Sequence, residues 1–290
     1  MIDTPSVARL PDGRLHLRHG PIELIIRAEG APDECDNVYA AAVSEFPSIL
    51  PALAGELEVL RTEISAAGPV PRSVVGERMV RACEPYHAHR VTPMAAVAGA
   101  VADHILETMC VAGSVRRAWV NNGGDIAVFL ATGESFHCGL IPELTRRRIE
   151  GSIRLDSNTA CRGIATSGRA TRGHGGRSFS LGIADAVTVV AADAAAADVA
   201  ATLIANHVDL PGHGGIRRVA ACDIDPDSDL RNRRVVTDVA PLDPPEVDAA
   251  IARGAAMAER WVREMDIDSV AICLQGRKRL VGAAPLLQVA

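Results

Sequence analysis

One segment of this chain that could do chemistry is a short polar turn at residues 121–125. It contains Asn122, Gly123, Gly124 and Asp125 in direct succession. Glycine allows the backbone to approach a ligand closely, and backbone N–H groups exposed in such a turn can hold a phosphate. Asn and Gly are also the residues that a tight hairpin turn requires. The segment alone therefore leaves a phosphate site and a plain hairpin both open.

Two further segments carry oxygen donors. Thr166, Ser167 and Gly168 follow a strand-like run, and the two hydroxyls suit a phosphate or ribose contact, although an ordinary loop start has the same composition. Asp198 and Thr202 are four residues apart, which places both side chains on one face of a helix. A carboxylate and a hydroxyl are hard oxygen ligands of the kind that Mg²⁺ accepts. An acidic residue near a helix start is also favoured by the helix dipole alone.

Histidines supply the remaining candidates. His174 lies in a Gly-rich segment and could act as an acid or base near neutral pH. His87 and His89 would share one face of a strand and could bind a metal there, but no third ligand is identifiable. The sequence contains no Walker, GxGxxG, GxSxG or HExxH motif, which disfavours P-loop NTPases, Rossmann dehydrogenases, α/β-hydrolases and zinc proteases.

The composition argues against several classes of partner. The formal net charge is −6, whereas nucleic-acid binding needs a basic surface, and aromatic residues that could stack on bases make up only 3%. The 7 cysteines are scattered without CxxC spacing, as is typical of reduced thiols in the cytoplasm. We find no secretory-signal pattern, and the apolar run Val91–Ala102 is too short to span a bilayer. We therefore expect a cytoplasmic protein that binds neither nucleic acid nor membrane.

Hydrophobic periodicity predicts strands that arrive in adjacent pairs and a few long helices. The clearest elements are a hairpin over 117–131, a strand over 185–191 and a helix over 194–207. Another helix, over about 92–109, has small residues in its first half, which permits close approach of another backbone or of a ligand. The pattern therefore predicts an α+β fold with largely antiparallel sheets packed with a few long Ala-rich helices.

The sequence predicts an interrupted helix, an irregular segment and a short strand elsewhere in the chain. Helical spacing over 36–65 is interrupted by Pro47 and Pro51, which predicts two helices or a kink. Residues 66–90 are expected to be irregular, and a strand is expected over 178–181.

No domain linker is evident, so we expect a single domain over residues 1–290. Gly-His-Gly-Gly occurs twice, at 173–176 and 212–215, and an Ala-rich helix followed by a strand pair also occurs twice. These repeated patterns suggest that the chain consists of two similar halves, about 1–131 and 132–290. A second copy would pair at open sheet edges, so a homodimer is an option.

The order of the motifs resembles the ApbE family of FAD-dependent flavin transferases. That family has a GGxAKG-type helix, a VNxGGD turn, an ATSG segment, an SVTV strand and an AD-x-x-AT helix in the same order. The matching runs here are TPMAAVAGAVAD (92–103), VNNGGDI (120–126), IATSG (164–168), DAVTVVA (185–191) and ADVAAT (197–202). The form of the first run is more similar to an uncharacterised cytoplasmic branch of this superfamily than to the transferases themselves.

The resemblance implies an ApbE-like fold related to the tunnelling folds that handle purines and pterins. It implies that Asp198 and Thr202 are side-chain ligands of Mg²⁺. The family reaction splits the pyrophosphate of FAD and places FMN on a Ser or Thr hydroxyl of an acceptor protein. Mg²⁺ on the pyrophosphate would neutralise the charge that develops as the bond breaks.

The resemblance also implies where a flavin nucleotide is held. Two segments match family segments that lie beside it: the turn with Asn122, Gly123, Gly124 and Asp125, and the loop with Thr166, Ser167 and Gly168. We therefore expect FAD, or a related nucleotide, to be the cofactor.

Two departures separate the chain from the family pattern. Ala98 stands where the family has a helix lysine, so one cation that would face the phosphates is missing. The family's His-Ile-Ile-Asp-Pro-x-Thr-Gly segment is replaced by a shorter interval, 169–185, which contains one histidine, His174. His174 is therefore the candidate for the missing catalytic histidine.

Three functions stay open. The leading one is a cytoplasmic ApbE-like protein that binds FAD with Mg²⁺ and cleaves or transfers the FMN moiety. The alternatives are an enzyme that acts on a purine-like or pterin-like ring, and a non-catalytic nucleotide-binding or assembly protein that keeps the pocket without the chemistry.

Overall fold

The structure is a computed structural model that describes residues 4–141, 149, 151–169, 179–282 and 287–289. The chain forms two compact units. Unit 1 contains Met1–Phe136, Leu155–Ala165 and Ala191–Val199. Unit 2 contains His137–Arg154, Thr166–Val190 and Ala200–Ala290.

The described residues form seven α-helices and two 3-10 helices. The α-helices are α1 (Pro32–Gly55), α2 (Leu57–Leu60), α3 (Val74–Cys83), α4 (Val97–Ala112), α5 (Ala194–His207), α6 (Ala221–Ile224) and α7 (Pro244–Glu264). The 3-10 helices are Glu84–His89 and Pro93–Ala96.

The strands are mostly short and antiparallel. They are β1 (Ser6–Arg9), β2 (Leu15–His19), β3 (Ile22–Glu29), β4 (Arg117–Asn122), β5 (Asp125–Leu130), β6 (Ser135–Leu140), β7 (Gly151–Asp156), β8 (Gly163–Ser167), β9 (Ala186–Ala191), β10 (Ile216–Ala220), β11 (Arg234–Val239), β12 (Ile267–Leu274), β13 (Arg277–Gly282) and β14 (Leu287–Val289). This content confirms the predicted α+β fold with largely antiparallel sheets.

Unit 1 is an antiparallel sheet covered by helices. Its strands follow the order β1-β2-β3-β4-β5, and β5 pairs with the start of β8 through Ile126 and Ile164. In β3 every second side chain is buried, as expected for a sheet with one covered face. α1 and α4 pack on one another, and the Tyr39 hydroxyl accepts the backbone N–H of Ala28 at 2.8 Å. The core of unit 1 therefore lies between this sheet and the two helices.

Unit 2 is built around the β12–β13 hairpin and α7. The hairpin is antiparallel, with Val270 opposite Val281, and α7 packs against both strands. Asp243 and Glu246 form a reciprocal capping box at the start of α7, so the backbone donors of its first turn are satisfied. β10 pairs antiparallel with β11, and β14 pairs antiparallel with β7. The β12–β13 hairpin continues the sheet of β8 and β9, because β9 lies beside β12 in the strand order β8-β9-β12-β13.

Two helical segments are long and apolar enough to cross a membrane when only length and composition are considered. They are Pro32–Gly55 and Pro93–Ala112. Core helices of proteins that never enter a membrane pass the same test, and both segments contribute buried side chains to unit 1. The two segments are therefore weak evidence for a membrane span.

Three expectations about local structure need correction. The two helices expected over 36–65 are present as α1 and α2, but the break between them falls at Glu56 and not at Pro47 or Pro51, which lie inside α1. Residues 66–90 are not irregular throughout: Ser73 caps α3 by accepting the N–H of Gly76 at 3.1 Å. Residues 179–181 form no strand, since the Ser180 hydroxyl donates to the Gly182 carbonyl within a local bend.

Candidate functional site

The turn between β4 and β5 is a two-residue hairpin turn. Gly123 and Gly124 have φ angles of +66° and +120°, a region that most side chains disfavour, so both positions favour glycine. A Cβ atom at either glycine would meet nothing within 4 Å, which shows open space beside the turn. The N–H of Gly124 donates to Asn121 Oδ1 at 2.8 Å, so this donor is already engaged. The turn is therefore both a hairpin and an accessible edge of unit 1.

The predicted residue Asn122 ties this turn to the first turn of α4. Its side chain is buried, and its Nδ2 donates to the carbonyl of Ala98 at 3.1 Å. Asp125, which is paired opposite Asn122 across the hairpin, is also buried. The two polar side chains at the base of the turn thus belong to the interior of unit 1.

The N-terminal ends of α4 and α5 meet at a close contact. A Cβ atom on Gly99 would lie 2.2 Å from the carbonyl oxygen of Ala194, so only glycine fits there. Asp198, on α5, accepts the N–H of Gly99 through Oδ2 at 3.0 Å. Asp103, on α4, accepts the N–H groups of Ala194 and Ala195 at 3.1 and 2.9 Å. Each helix therefore provides a carboxylate for the unpaired backbone donors at the start of the other.

Burial dominates the electrostatics of these carboxyls. Burial, and to a smaller extent the charge of Asp193, raises the pKa of Asp103 to about 7, while the N–H bonds from Ala195 and Ala194 oppose the shift. Burial likewise raises the pKa of Asp198, against the hydrogen bonds from Gly99 and Ala98. Burial also raises the pKa of the Cys83 thiol, so this cysteine is a poor nucleophile.

Unit 2 has two pairs of hydroxyls at the end of β8. The hydroxyls of Thr166 and Thr188 are hydrogen-bonded at 2.9 Å, and the Thr202 hydroxyl donates to Ser167 Oγ at 3.5 Å. Because Thr166 and Ser167 are consecutive residues of a strand, the two pairs lie on opposite faces of it. The next residue, Gly168, has a φ of +144°, and a Cβ there would lie 2.5 Å from a backbone oxygen. The segment that is predicted as a phosphate or ribose contact therefore carries two hydroxyl pairs followed by a required glycine.

The structure thus groups the predicted residues within each unit. In unit 1, Asn122 and Asp198 both bond to the first turn of α4. In unit 2, Ser167 and Thr202 are neighbours. His174 lies outside the described residues. His87 and His89 lie on a 3-10 helix and not on a strand, so the basis for placing them on one face is wrong.

Three functional candidates were missed by sequence reasoning: Gly99, Asp103 and Thr188. A carboxylate within an Ala-rich helix and a hydroxyl within an otherwise apolar strand were the available signals. Neither signal identifies a partner, because the contacts join residues far apart in the chain.

The donor chemistry of the predicted metal ligands fits Mg²⁺. Within the described ranges, no group of three His, Cys, Asp or Glu side chains is placed to hold a metal ion. Mg²⁺ differs from metals held in such cages, because it keeps several waters and is bound by one or two carboxylates together with substrate phosphates. The Asp198 carboxylate and the Thr202 hydroxyl are oxygen donors of this kind, and α5 is continuous from one to the other.

A separate groove of about 360 Å³ lies on unit 2, and none of the described site residues is part of its lining. It is lined by Asp248, Ile251, Ala252, Arg277, Lys278 and Arg279. Arg277 is already paired with Asp248 at 2.9 and 3.0 Å. Arg279 is paired with Glu259 at 3.1 Å. Because two of its three basic side chains are already in ion pairs, the groove is not chosen, and the candidate residues stay at the hairpin turn and the α4–α5 contact of unit 1 and at the hydroxyl pairs of unit 2.

The fold and these motifs define an ApbE-like protein. The profile of the family described as "AbpE bacteria" matches residues 7–280, and the chain belongs to this family. The resemblance inferred from the motifs at about 90–210 is thereby confirmed, and the match extends well beyond them on both sides.

Curated relatives carry no functional name. The chain is 37% identical over 131 residues to a "UPF0280 protein" of Archaeoglobus fulgidus, which covers 45% of the chain and 50% of the relative. It is 29% identical over 210 residues to a "UPF0280 protein" of Methanocella arvoryzae, which covers 71% of the chain and 78% of the relative. The chain spans about half the length of several curated relatives that it matches, the Archaeoglobus protein among them.

Solved structures give only a distant likeness. The ApbE protein of Thermotoga maritima aligns with a TM-score of 0.46 and 12% identity, covering 96% of this chain and 97% of that chain. The flavinyl transferase ApbE of Pseudomonas stutzeri aligns with a TM-score of 0.43 and 11% identity, covering 97% and 94%.

Proposed function

We propose that this protein binds a flavin nucleotide, FAD, together with Mg²⁺, and that it cleaves the FAD pyrophosphate or transfers the FMN moiety. The observation that carries the proposal is the convergence of Asn122 and Asp198 on one turn of α4 in a member of the ApbE-like family. These residues come from the two motifs to which the family resemblance assigns nucleotide contact and metal binding. Both side chains therefore lie at the N-terminal end of α4, which supports placing the nucleotide contact and the metal ion in the same region of unit 1.

The proposed roles follow the chemistry of each segment. The hairpin turn with Gly123, Gly124 and Asp125 would lie against the nucleotide, because open space adjoins both glycines. Thr166, Ser167 and Gly168 would contact its phosphate or sugar oxygens through hydroxyl and backbone groups. With these assignments, none of the residues proposed to contact the nucleotide carries a positive charge.

Asp198 and Thr202 would hold Mg²⁺. When bound, the ion supplies charge neutralisation for a pyrophosphate. Asp198 is buried against backbone donors that fix its orientation, so the carboxylate is held in place before any ligand arrives. His174 would hold or move the proton that the leaving or attacking oxygen exchanges.

The decisive experiment is calorimetric titration of FAD into the protein with and without Mg²⁺, followed by separation of the products. We expect Mg²⁺-dependent binding, with AMP and FMN released. Asp198→Asn should remove the Mg²⁺-dependent part of the affinity. Asp248→Asn is the matched control, because this carboxylate is exposed and paired with Arg277. If Asp198→Asn leaves both the Mg²⁺ and the FAD affinity unchanged, the site assignment is wrong.

The same titration distinguishes the alternatives. Binding without product, unchanged by His174→Ala, would indicate a non-catalytic nucleotide-binding or assembly protein. Preference for a pterin or a guanine nucleotide over FAD would indicate an enzyme that acts on a ring substrate.

We also propose that the protein is cytoplasmic and that it forms one ApbE-like domain over 1–290, built from two similar halves. Its partner would be an acceptor protein that carries the Ser or Thr hydroxyl. Homodimer formation stays a prediction, which sedimentation velocity tests directly. A sedimentation coefficient that matches 30.5 kDa at all concentrations would contradict it.

A further inference from the structure

The turn between β4 and β5 engages one of its own backbone donors with a side chain of β4. The N–H of Gly124 donates to Asn121 Oδ1 at 2.8 Å. A backbone N–H can only donate, so the atom that it meets must be the oxygen of the Asn121 carboxamide and not its nitrogen. The contact therefore fixes the orientation of this amide. Its oxygen points to Gly124, and Nδ2, which carries two protons, points away from that N–H.

Asn121 and Asn122 have different surroundings although they are adjacent. Consecutive residues of a strand point to opposite faces, and β4 alternates between half-buried and buried side chains up to its end. Asn122 is buried, and its amide donates to the carbonyl of Ala98. Asn121 is half-buried, and among the described residues its Nδ2 protons meet no acceptor. Asn122 therefore holds the hairpin on α4, whereas Asn121 keeps its donors for a group from outside the chain.

The turn has room for such a group and does not itself need the amide. A Cβ at Gly123 or Gly124 would meet nothing within 4 Å, so the space beside the two glycines is open. An aspartate oxygen at position 121 would accept the N–H of a tight turn as well as an asparagine oxygen does. What the carboxamide adds is a pair of donors, and accepting the bond from Gly124 polarises the amide and strengthens them.

We propose that Asn121 is a ligand-binding residue that donates through Nδ2 to an acceptor oxygen of the bound nucleotide. The inference rests on the proposed function, and it names a further residue of the turn besides the four that were assigned from the motif. The turn then presents the amide of Asn121 where a phosphate-holding loop would present a backbone N–H, because the N–H of Gly124 is engaged. Phosphate oxygens and the ring carbonyl oxygens of a flavin are both acceptors that an uncharged amide suits.

The test removes the donors and keeps the turn. Asn121→Asp retains an oxygen for the N–H of Gly124 and loses both Nδ2 protons, so its urea unfolding midpoint should stay close to that of wild type. FAD, FMN and riboflavin are titrated into both proteins. We expect Asn121→Asp to weaken FAD binding about 10-fold or more, because a hydrogen bond is lost and two oxygens then face each other.

The three ligands identify the oxygen that is contacted. Weaker binding of FAD and FMN, with riboflavin unchanged, would place the contact on the phosphate of the FMN moiety. Weaker binding of all three would place it on the flavin ring, and weaker binding of FAD alone would place it on the AMP half.

Two controls separate the lost hydrogen bond from the added charge. Asn121→Ser keeps a hydroxyl acceptor for the turn without a negative charge, and it should also weaken FAD binding. Raising the salt concentration to about 0.5 M screens long-range repulsion and should not restore the affinity of Asn121→Asp. If Asn121→Asp does not fold, Asn121→Ser gives the same comparison of ligands.

Two results would overturn the inference. One is FAD affinity that is unchanged in both Asn121→Asp and Asn121→Ser. The other is weaker binding that appears only together with a lower urea unfolding midpoint, which would show a disturbed turn. Wild-type protein that binds no flavin at all would refute the proposed function itself, and this inference with it.

Discussion

Asp103 gives a direct test of the α4–α5 contact through the pH dependence of stability. Burial raises its pKa from the ordinary 3.8 to about 7. Because the folded pKa lies above the unfolded one, the folded state binds more protons between these values, and stability falls as pH rises. The loss begins near the unfolded pKa and is complete above the folded one. Three pKa units correspond to roughly 4 kcal/mol of unfolding free energy.

Charged groups near Asp103 also shift its pKa, so they affect how the pH dependence of unfolding is interpreted. Repulsion from Asp193 raises the pKa of Asp103, and Arg78 lowers it. Asp103 in turn raises the pKa of Asp198. Unfolding in urea is measured for wild type and Asp103→Asn at steps between pH 4 and pH 8. The other titrating groups largely cancel in the difference between the two proteins. The variant also loses one acceptor oxygen for Ala194 or Ala195, which lowers its stability by about 1 kcal/mol at every pH.

The expected result is a difference that changes sign. Near pH 4 the wild type should be the more stable protein, and at pH 8 Asp103→Asn should be the more stable one, since it no longer buries an ionised carboxylate. Parallel pH profiles for the two proteins would refute the reasoning, because they would show that Asp103 has the same pKa folded and unfolded. Asp248→Asn serves as the control, as its carboxylate is exposed and should leave the profile unchanged.

Three further predictions concern stability and reactivity. Gly99→Ala should lower the unfolding free energy by about 1–3 kcal/mol in urea denaturation, because its Cβ would overlap the carbonyl of Ala194. Gly123→Ala should cost about 1 kcal/mol in thermal denaturation, since its φ is positive while its Cβ meets open space; Gly123→Asn should cost less, and equal costs would contradict this. Cys83, whose thiol pKa is raised by burial, should stay unmodified by a disulfide reagent in native protein while the half-exposed Cys222 reacts.

Local signals predicted a large part of this fold. The helix over 194–207 and the hairpin around Gly123 and Gly124 depend on periodicity and on a turn with positive φ, both of which are written in a few adjacent residues. α3 was missed because it is short, and because its local cap, Ser73, is a residue type that also begins many loops. The Glu56 carboxylate accepts the N–H of Ser73 across 17 residues, a contact that leaves no local signal.

The candidate site was predictable in its residues and not in its contacts. The motif order pointed to Asn122 and Asp198, but only the fold shows that both bond to the first turn of α4. The small residues of that helix had left two explanations open, close approach of a backbone or of a ligand. At Gly99 the approaching group is the backbone of α5, because the carbonyl of Ala194 occupies the space that a side chain would need.

This contact explains why carboxylates are found in two Ala-rich helices. When two helices begin against each other, the unpaired N–H groups of both first turns lose access to water and need acceptors. Asp103 supplies them for α5 and Asp198 supplies them for α4. Asp198 therefore has a structural reason to be present even without a metal ion, so its occurrence alone does not establish a Mg²⁺ site. Mg²⁺-dependent FAD affinity in wild type, lost in Asp198→Asn and kept in Asp103→Asn, is the result that would separate metal binding from helix capping.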